Sequence, residues 1–222
     1  MLAEAILDFE EQLPSFIKLA YLPAYGMVRL RLTARGEKED ELLNEIEKQF
    51  ATLKKQVNQW LVADRDISIQ EALLDLLRTN GKSLSTAESC TGGYIAHLLT
   101  SIAGSSDVYK GSIISYANEV KEELLDVLPG TLEAYGAVSE QTVQQMVKGA
   151  LDKTKADYAI ATSGIMGPTG GTNEKPVGTV WIAVGDQQRI VTNKVQFRFD
   201  RMRNIQLTAH TALNMLRKFV VD

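Results

Sequence analysis

The spacing of apolar residues changes several times along the chain, and each change marks an element. Residues 2 to 12 place Leu2, Ile6, Leu7 and Phe9 at helical spacing, and Pro14 ends that helix. Residues 17–22 and 27–33 read as two strands joined through Pro23-Ala-Tyr-Gly26. In the second, Val28, Leu30 and Leu32 alternate with Met27, Arg29, Arg31 and Thr33, the pattern of a half-buried antiparallel strand. Gly36 closes the hairpin. From 37 to 62 the period is helical again, with Leu42, Leu43, Ile46, Phe50, Leu53 and Val57 on one face. A unit of about 60 residues is only marginally stable alone. The polar Ala63-Asp-Arg-Asp66 follows it, which puts a small α+β domain at 1–64 and a second domain at 65–222.

The second domain alternates the two periods. A helix over 68–80 has Ser68 as N-cap, Glu71 at the capping-box position and Gly81 just past its end. Residues 84–87 form the end of a buried strand, and Gly92-Gly93 turns the chain into a helix carrying Ile95, Ala96, Leu98, Leu99 and Ile102. After the loop at 103–107, a strand is expected at 111–116. Asn118 opens a helix running to Val127, which Pro129-Gly130 breaks. Ser139 caps a helix with Val143, Met146 and Val147 inward, ending near Lys155, and 157–162 is a third apolar strand. Residues 163–178 are too rich in Gly and Pro for regular structure. Strands at 179–184 and 190–199 pair around Gly185-Asp186, and Asp200 N-caps a last helix to about Lys218. Strand–helix alternation with a closing hairpin predicts an α/β/α layered sheet with an antiparallel portion.

Composition narrows the function. The 222 residues are 45% hydrophobic and 23% charged, with a net charge of −4. That balance is ordinary for a soluble globular protein and argues against a nucleic-acid or anionic-membrane surface. No run of about 18 apolar residues occurs, and the acidic, amphipathic start is unlike a signal peptide. A single cysteine suits a reducing cytoplasm, and with only His97 and His210 beside it no Cys/His metal site is expected. Arg29, Arg31 and Arg35 sit against an acidic stretch (Glu37, Glu39, Asp40, Glu41), so a solvated face outweighs a nucleic-acid patch.

Three loops fall at the C-terminal ends of strands, at 88–93, 116–121 and 163–178, the edge where open α/β sheets bind ligands. They are rich in Gly, Ser, Thr and Asn, and the third is long for a mere connection. None matches a P-loop or GxGxxG pattern. Ser89, Cys90 and Thr91 put three candidate nucleophiles in one turn, and spacing alone leaves open whether the turn is catalytic or a capped β-to-α corner. Neither histidine is placed to serve as base; both read as packed or surface residues. Lys121, at a strand-to-helix corner after Tyr116, is the alternative, since a desolvated lysine loses its proton near neutrality and a Ser–Lys pair activates a hydroxyl without histidine. On spacing alone a solvated helix lysine beside Glu122 and Glu123 is the favoured reading. Arg201 and Arg203, flanking the start of the last helix, are candidate phosphate or carboxylate ligands or else a surface pair.

The segments Ala87-Glu-Ser-Cys-Thr-Gly-Gly93, Ile114-Ser-Tyr-Ala-Asn118 with Lys121, Gly136-Ala-Val-Ser139, Ser163-Gly-Ile-Met-Gly-Pro168 and Lys175-Pro-Val-Gly-Thr-Val-Trp181 together resemble the C-terminal domain of the CinA family of competence/damage-inducible proteins. The likeness covers about residues 68–219. Leu13-Pro14 and Ile17-Lys-Leu-Ala-Tyr-Leu-Pro23 resemble that family's small KH-like middle domain, although no clear GxxG is present and RNA binding through it is not expected. The family's usual first domain, similar to molybdopterin-binding proteins, has no counterpart in these residues, so activities tied to it, such as ADP-ribose pyrophosphatase, are not carried over.

The resemblance implies hydrolysis of the carboxamide of nicotinamide mononucleotide to nicotinic acid mononucleotide and ammonia, a pyridine-nucleotide salvage step, without cofactor or metal. By position, Ser89 would be the nucleophile and Lys121 its base. Tyr116 would complete the proton network and Arg203 would touch substrate or transition state. The substrate-binding set expected on the loops is Thr86, Thr91, Gly92, Gly93, Asn118, Ser163, Gly164, Gly167 and Arg201, with the N–H groups of residues 91–93 facing the oxyanion. The resemblance also implies a homodimer or larger homo-oligomer. The competing reading is a non-catalytic nucleotide-binding or regulatory module.

Overall fold

The computed structural model describes residues 2–24 and 26–221. They form two compact units that divide between Ile67 and Ser68. In the first, two short helices (α1, Leu2–Ala5; α2, Leu7–Glu11) precede strands β1 (Ile17–Ala24) and β2 (Met27–Ala34), followed by helix α3 (Glu39–Val57). The single helix expected over 2–12 is split at Ile6, which leaves helical geometry (φ −119°, ψ 16°) to bury its own side chain. β1 and β2 are antiparallel, pairing Ile17 with Ala34 through Ala24 with Met27. Tyr25, part of the expected turn, lies outside the described residues. The core joins Ile6, Phe9, Leu53 and Val57 with Leu19, Leu30 and Leu32. Leu43 and Val28 do not share it and stand 51% and 44% exposed. α3 is shorter than the expected span of 37 to 62, its end continuing only as turns bonded from Trp60 N–H to Val57 O.

The second unit is a five-stranded sheet in the order β4-β3-β5-β6-β7, covered by helices on both faces. It runs α4 (Ile69–Thr79), β3 (Leu84–Glu88), α5 (Tyr94–Thr100), a 3-10 turn (Ser105–Asp107), β4 (Tyr109–Ile114), α6 (Asn118–Leu125), α7 (Pro129–Tyr135), α8 (Glu140–Thr154), β5 (Tyr158–Gly164), β6 (Thr179–Gly185), β7 (Ile190–Gln196) and α9 (Arg201–Val221). The sheet is mixed: β3 is parallel to both β4 and β5, and β6 and β7 add antiparallel strands beyond β5. From β3 the chain first crosses one way to β4 and then back past β3 to β5. Right-handed crossovers in opposite directions lay α5 and α8 on opposite faces. α8 buries Val143, Met146, Val147, Ala150 and Leu151 against Ala87, Ala159, Ala161 and Ala183. α4, α5 and α9 cover the other face.

The start signals act locally as their chemistry requires. Ser68 Oγ accepts from Glu71 N at 3.3 Å, Ser139 Oγ from Thr142 N at 3.3 Å, and Asp200 Oδ1 from Arg203 N at 3.0 Å. Three expectations shift. The strand expected at 111–116 pairs over Tyr109–Ile114, the strand expected at 190–199 ends at Gln196, and Pro129 opens α7 instead of only breaking the helix before it. A proline serves well at the first helical position, because its missing N–H has no partner there in any case. α6 ends at Leu125, where Asp126 takes a left-handed conformation (φ 54°).

α8 lies so close to the end of α6 that a Cβ on Gly149 would stand 2.0 Å from Leu125 O, with the Leu125 backbone on every near side. In an open helix Gly→Ala adds about 1 kcal/mol of stability. Here Gly149→Ala is expected to cost about 1–3 kcal/mol, since backbone, not a flexible side chain, must move. Urea denaturation of the variant checks this, and a gain in stability would contradict the close packing.

Candidate active site

Because β3, β4 and β5 are parallel, the segments after them emerge at one edge of the sheet. There they enclose a pocket of about 270 Å³. Its walls come from the turn after β3 (Ser89, Cys90), the β4–α6 corner (Tyr116, Asn118, Lys121), Ala137 and Val138 before α8, the loop after β5, and Arg201 at the start of α9. Of the residues singled out by sequence, the pocket gathers Ser89, Tyr116, Lys121, Asn118, Ser163, Gly164 and Arg201.

Lys121 is 1% exposed and counts among the largest fully buried side chains of the described chain. Its Nζ donates to the carbonyls of Ser115 (2.8 Å), Tyr116 (3.2 Å) and Ala117 (3.4 Å), the last residues before its own helix. Burial pushes its pKa below the ordinary lysine value of 10.5. Ser89, 8% exposed, is fixed through its N–H to Thr162 O at 3.0 Å. Beside it the Cys90 thiol is pushed up to about 12, chiefly by burial, against which a hydrogen bond to the Thr162 side chain works. A thiol held protonated is a poor nucleophile, so Cys90 brings no ready thiolate to the pocket.

Tyr116 is 63% exposed. Its hydroxyl accepts from Arg201 Nη2 at 3.1 Å, and its carbonyl, not its phenol, meets Lys121. The other terminal nitrogen of Arg201 donates to Gly167 O at 2.7 Å, which places Gly167 behind the guanidinium instead of on the pocket wall. Arg203 lies elsewhere: its guanidinium stacks 4.1 Å over the Phe199 ring, away from the pocket. Two residues apart on a helix project to nearly opposite sides, so both arginines could not face the same pocket.

Thr86, Thr91, Gly92 and Gly93 also stand off the pocket wall. The reason is Glu88, the last residue of β3, 0% exposed, whose carboxylate claims the donors around it. Oε1 accepts from Ala96 N (2.8 Å), Thr86 Oγ1 (3.2 Å) and Ser112 Oγ (3.4 Å). Oε2 accepts from Thr91 Oγ1 (2.7 Å), Ile95 N (3.0 Å) and Gly93 N (3.1 Å). Gly92 N donates to Ser89 O at 3.1 Å. Of the expected oxyanion donors at 91–93, the amides of Gly92 and Gly93 are therefore engaged. Among the described residues, those of Cys90 and Thr91 make no backbone hydrogen bond. Glu88 carries a legible signal, since a carboxylate closing a wholly apolar and hydroxyl-bearing strand must find donors if it is buried.

The loop over 165–178 has no regular structure but is well tied. Asn204, 0% exposed, donates to Met166 O at 3.1 Å, and Lys175 Nζ donates to Tyr135 O at 2.7 Å. Asn204 is a second residue the sequence reading passed over; its signal is an amide on the buried side of α9. His97 is exposed and His210 is partly buried, and neither lines the pocket. No group of three or more His, Cys, Asp or Glu side chains that could hold a metal is found among the described residues. No helix there is long and apolar enough to cross a membrane.

The fold and site define a layered α/β domain with a buried serine and lysine at the C-terminal edge of a mixed sheet. Residues 66–220 match the family model of the CinA C-terminal domain. The chain belongs to the CinA family. It is 44% identical over 217 residues to a CinA-like protein of Cytophaga hutchinsonii and 41% identical over 217 residues to one of Amoebophilus asiaticus, covering 98% of this chain and 52% of the relative in each case. The chain thus spans about half the length of these relatives. Among solved structures, a competence/damage-inducible protein of Agrobacterium tumefaciens superposes with a TM-score of 0.66 at 40% identity, over 70% of this chain and 98% of that one. A CinA superfamily protein of Escherichia coli gives 0.66 at 30% identity, over 73% and 98%.

Native Cys90 is expected to resist iodoacetamide at about pH 8 and to react once the chain is unfolded in guanidinium, as read by intact mass, because only the thiolate alkylates. Rapid modification of the folded protein would contradict the buried, protonated thiol.

Proposed function

We propose that this chain is a nicotinamide mononucleotide amidohydrolase that cleaves the carboxamide through an acyl-serine intermediate. The observation that carries the reading is that Ser89 and a buried Lys121 line one pocket with a single arginine, Arg201, at its wall. An amide is a poor electrophile and ammonia a poor leaving group, so the reaction calls for an activated nucleophile and a proton donor to nitrogen. A neutral lysine amine keeps two N–H bonds for its two shorter carbonyl contacts, at 2.8 and 3.2 Å, and offers its lone pair to the pocket.

In this reading Ser89 Oγ attacks the carboxamide carbon as its proton passes to Lys121 Nζ. The tetrahedral intermediate collapses, the C–N bond breaks, and the same proton leaves on ammonia. Water then adds to the acyl ester, giving one proton to Lys121, which passes it to Ser89 Oγ as the C–O bond breaks and the acid is released. The amides of Cys90 and Thr91, which donate to no backbone carbonyl, are the donors offered to the oxyanion in this reading, and one such donor is worth roughly 2.7–4 kcal/mol of barrier. Arg201 supplies the positive charge that suits the substrate phosphate. Tyr116, bonded to Arg201, orients it. Arg203 has no part in this scheme.

Ammonia release from nicotinamide mononucleotide, set beside free nicotinamide and NAD, tests the reading. Ser89→Ala is expected to abolish it, on the order of 10⁴-fold or more, and Cys90→Ala to keep most of it. The reverse pattern would replace the hydroxyl with a thiolate, and tight mononucleotide binding without product would favour a non-catalytic binding module. Since burial lowers the Lys121 pKa, the neutral amine gains population as pH climbs through a value below 10.5. The rate should rise along that limb, and Lys121→Met should remove both the limb and the activity.

A further inference from the structure

Glu88 precedes Ser89 directly, yet its side chain turns away from the pocket and into the sheet. Within the turn itself, Gly92 N donates to Ser89 O at 3.1 Å and Tyr94 N to Thr91 O at 3.0 Å. Gly92 and Gly93 both take left-handed conformations (φ 58° and 92°), and neither has a side chain to anchor the path. The carboxylate adds three bonds that tie this glycine path down, through Thr91 Oγ1 at 2.7 Å and the amides of Gly93 and Ile95 at 3.1 and 3.0 Å. Thr91 Oγ1 meets Thr162 Oγ1 on β5 at 2.8 Å, next to the carbonyl that receives Ser89 N–H. The main chain of Glu88 reaches the lysine as well. Its carbonyl accepts from Ser115 N at 2.9 Å, and the Ser115 carbonyl accepts from Lys121 Nζ at 2.8 Å.

We propose that Glu88 is a positioning residue that sets the Ser89 turn against Lys121 by the reach of its carboxylate, not by its charge. The inference rests on the serine-nucleophile reading above. Replacement by Asp keeps the charge and withdraws the oxygens by about one bond length, ~1.5 Å, so that the turn must follow or lose its bonds. Replacement by Gln keeps the reach. Its amide nitrogen is accommodated on the Oε1 side, where the Thr86 and Ser112 hydroxyls can reverse to accept it. Only the Ala96 N–H then loses its acceptor, while the three bonds to the turn persist.

The test compares parent, Glu88→Asp and Glu88→Gln in the full chain by three readouts: thermal midpoint, kcat and KM for ammonia release from nicotinamide mononucleotide, and the rate at which a fluorophosphonate labels Ser89, Oγ displacing fluoride, with the site located by mass spectrometry. Folded Glu88→Asp is expected to lose about 100-fold in both kcat and labelling, as a misplaced nucleophile does. Its KM should stay within about threefold of the parent value. Glu88→Gln is expected to lose no more than about tenfold in either rate. A role confined to stability would lower the midpoint and leave labelling of the folded protein unchanged, and that result overturns the proposal. So does a Glu88→Gln slower than Glu88→Asp, which would make charge the agent. If the parent is labelled but releases no ammonia, the amidase reading fails and the positioning role is judged on labelling alone. If the parent is neither labelled nor active, both fail; if it releases ammonia without being labelled, the positioning role is judged on kcat, and a Glu88→Asp kcat at the parent level overturns it. Should Glu88→Asp not fold, Thr91→Val, which removes one donor to Oε2, is expected to slow labelling about tenfold; parent-like labelling would overturn the proposal.

Discussion

A carboxylate shut off from water has to be surrounded by donors, and at Glu88 those donors come from β3 itself, β4, the turn after β3 and the first residues of α5. Four of them, from Thr91 Oγ1 and the amides of Gly93, Ile95 and Ala96, lie at 2.7–3.1 Å and satisfy a group that would otherwise be left costly in the interior. The carboxylate therefore acts as a junction at the sheet edge. The helix start, the pairing with β4 and the path of the Ser89 turn all meet in one set of contacts. The pocket begins where that set ends.

Much of this architecture is written locally. Ser68, Ser139 and Asp200 cap the helices they precede, and the inward face of α8 is the one its spacing indicates. The sheet edge is legible because three Gly- and hydroxyl-rich segments follow three apolar strands, and parallel pairing brings them together. Position along the chain marks Ser89, Lys121 and Arg201 as candidates at that edge, while Asn118 and Ser163 are reached only through the family resemblance.

The directions in which side chains turn were not legible. Thr86 and Glu88 are two apart on a strand and so share a face, which commits the Thr86 hydroxyl to the carboxylate and not to a ligand. The hydroxyl of Thr91 and the amide of Gly93 are drawn to the same acceptor. A reading that treats every polar residue of a turn as available to substrate overlooks a buried competitor for those donors. Arg201 and Arg203 are equivalent in composition, and only the phase of α9 separates the one against Tyr116 from the one over Phe199. Pro129 is read as a stop because a proline both ends and begins helices, and here the helix-forming run from Thr131 to Tyr135 makes it a start.

The two halves of the site differ in how far along the chain their supports lie. Lys121 is held by carbonyls four to six residues before it, so its corner is closed by a single short segment. The serine turn is held by Ser112, 24 residues from Glu88, and by Thr162, 71 residues from Thr91. Contacts between distant positions carry the larger loop-closure cost and govern how fast such topologies form. The basic corner thus rests on local contacts, whereas the Ser89 turn draws bonds that exist only with β5 beside β3. Parting the central strand pair would therefore release the Ser89 turn while leaving the Lys121 corner its local carbonyls.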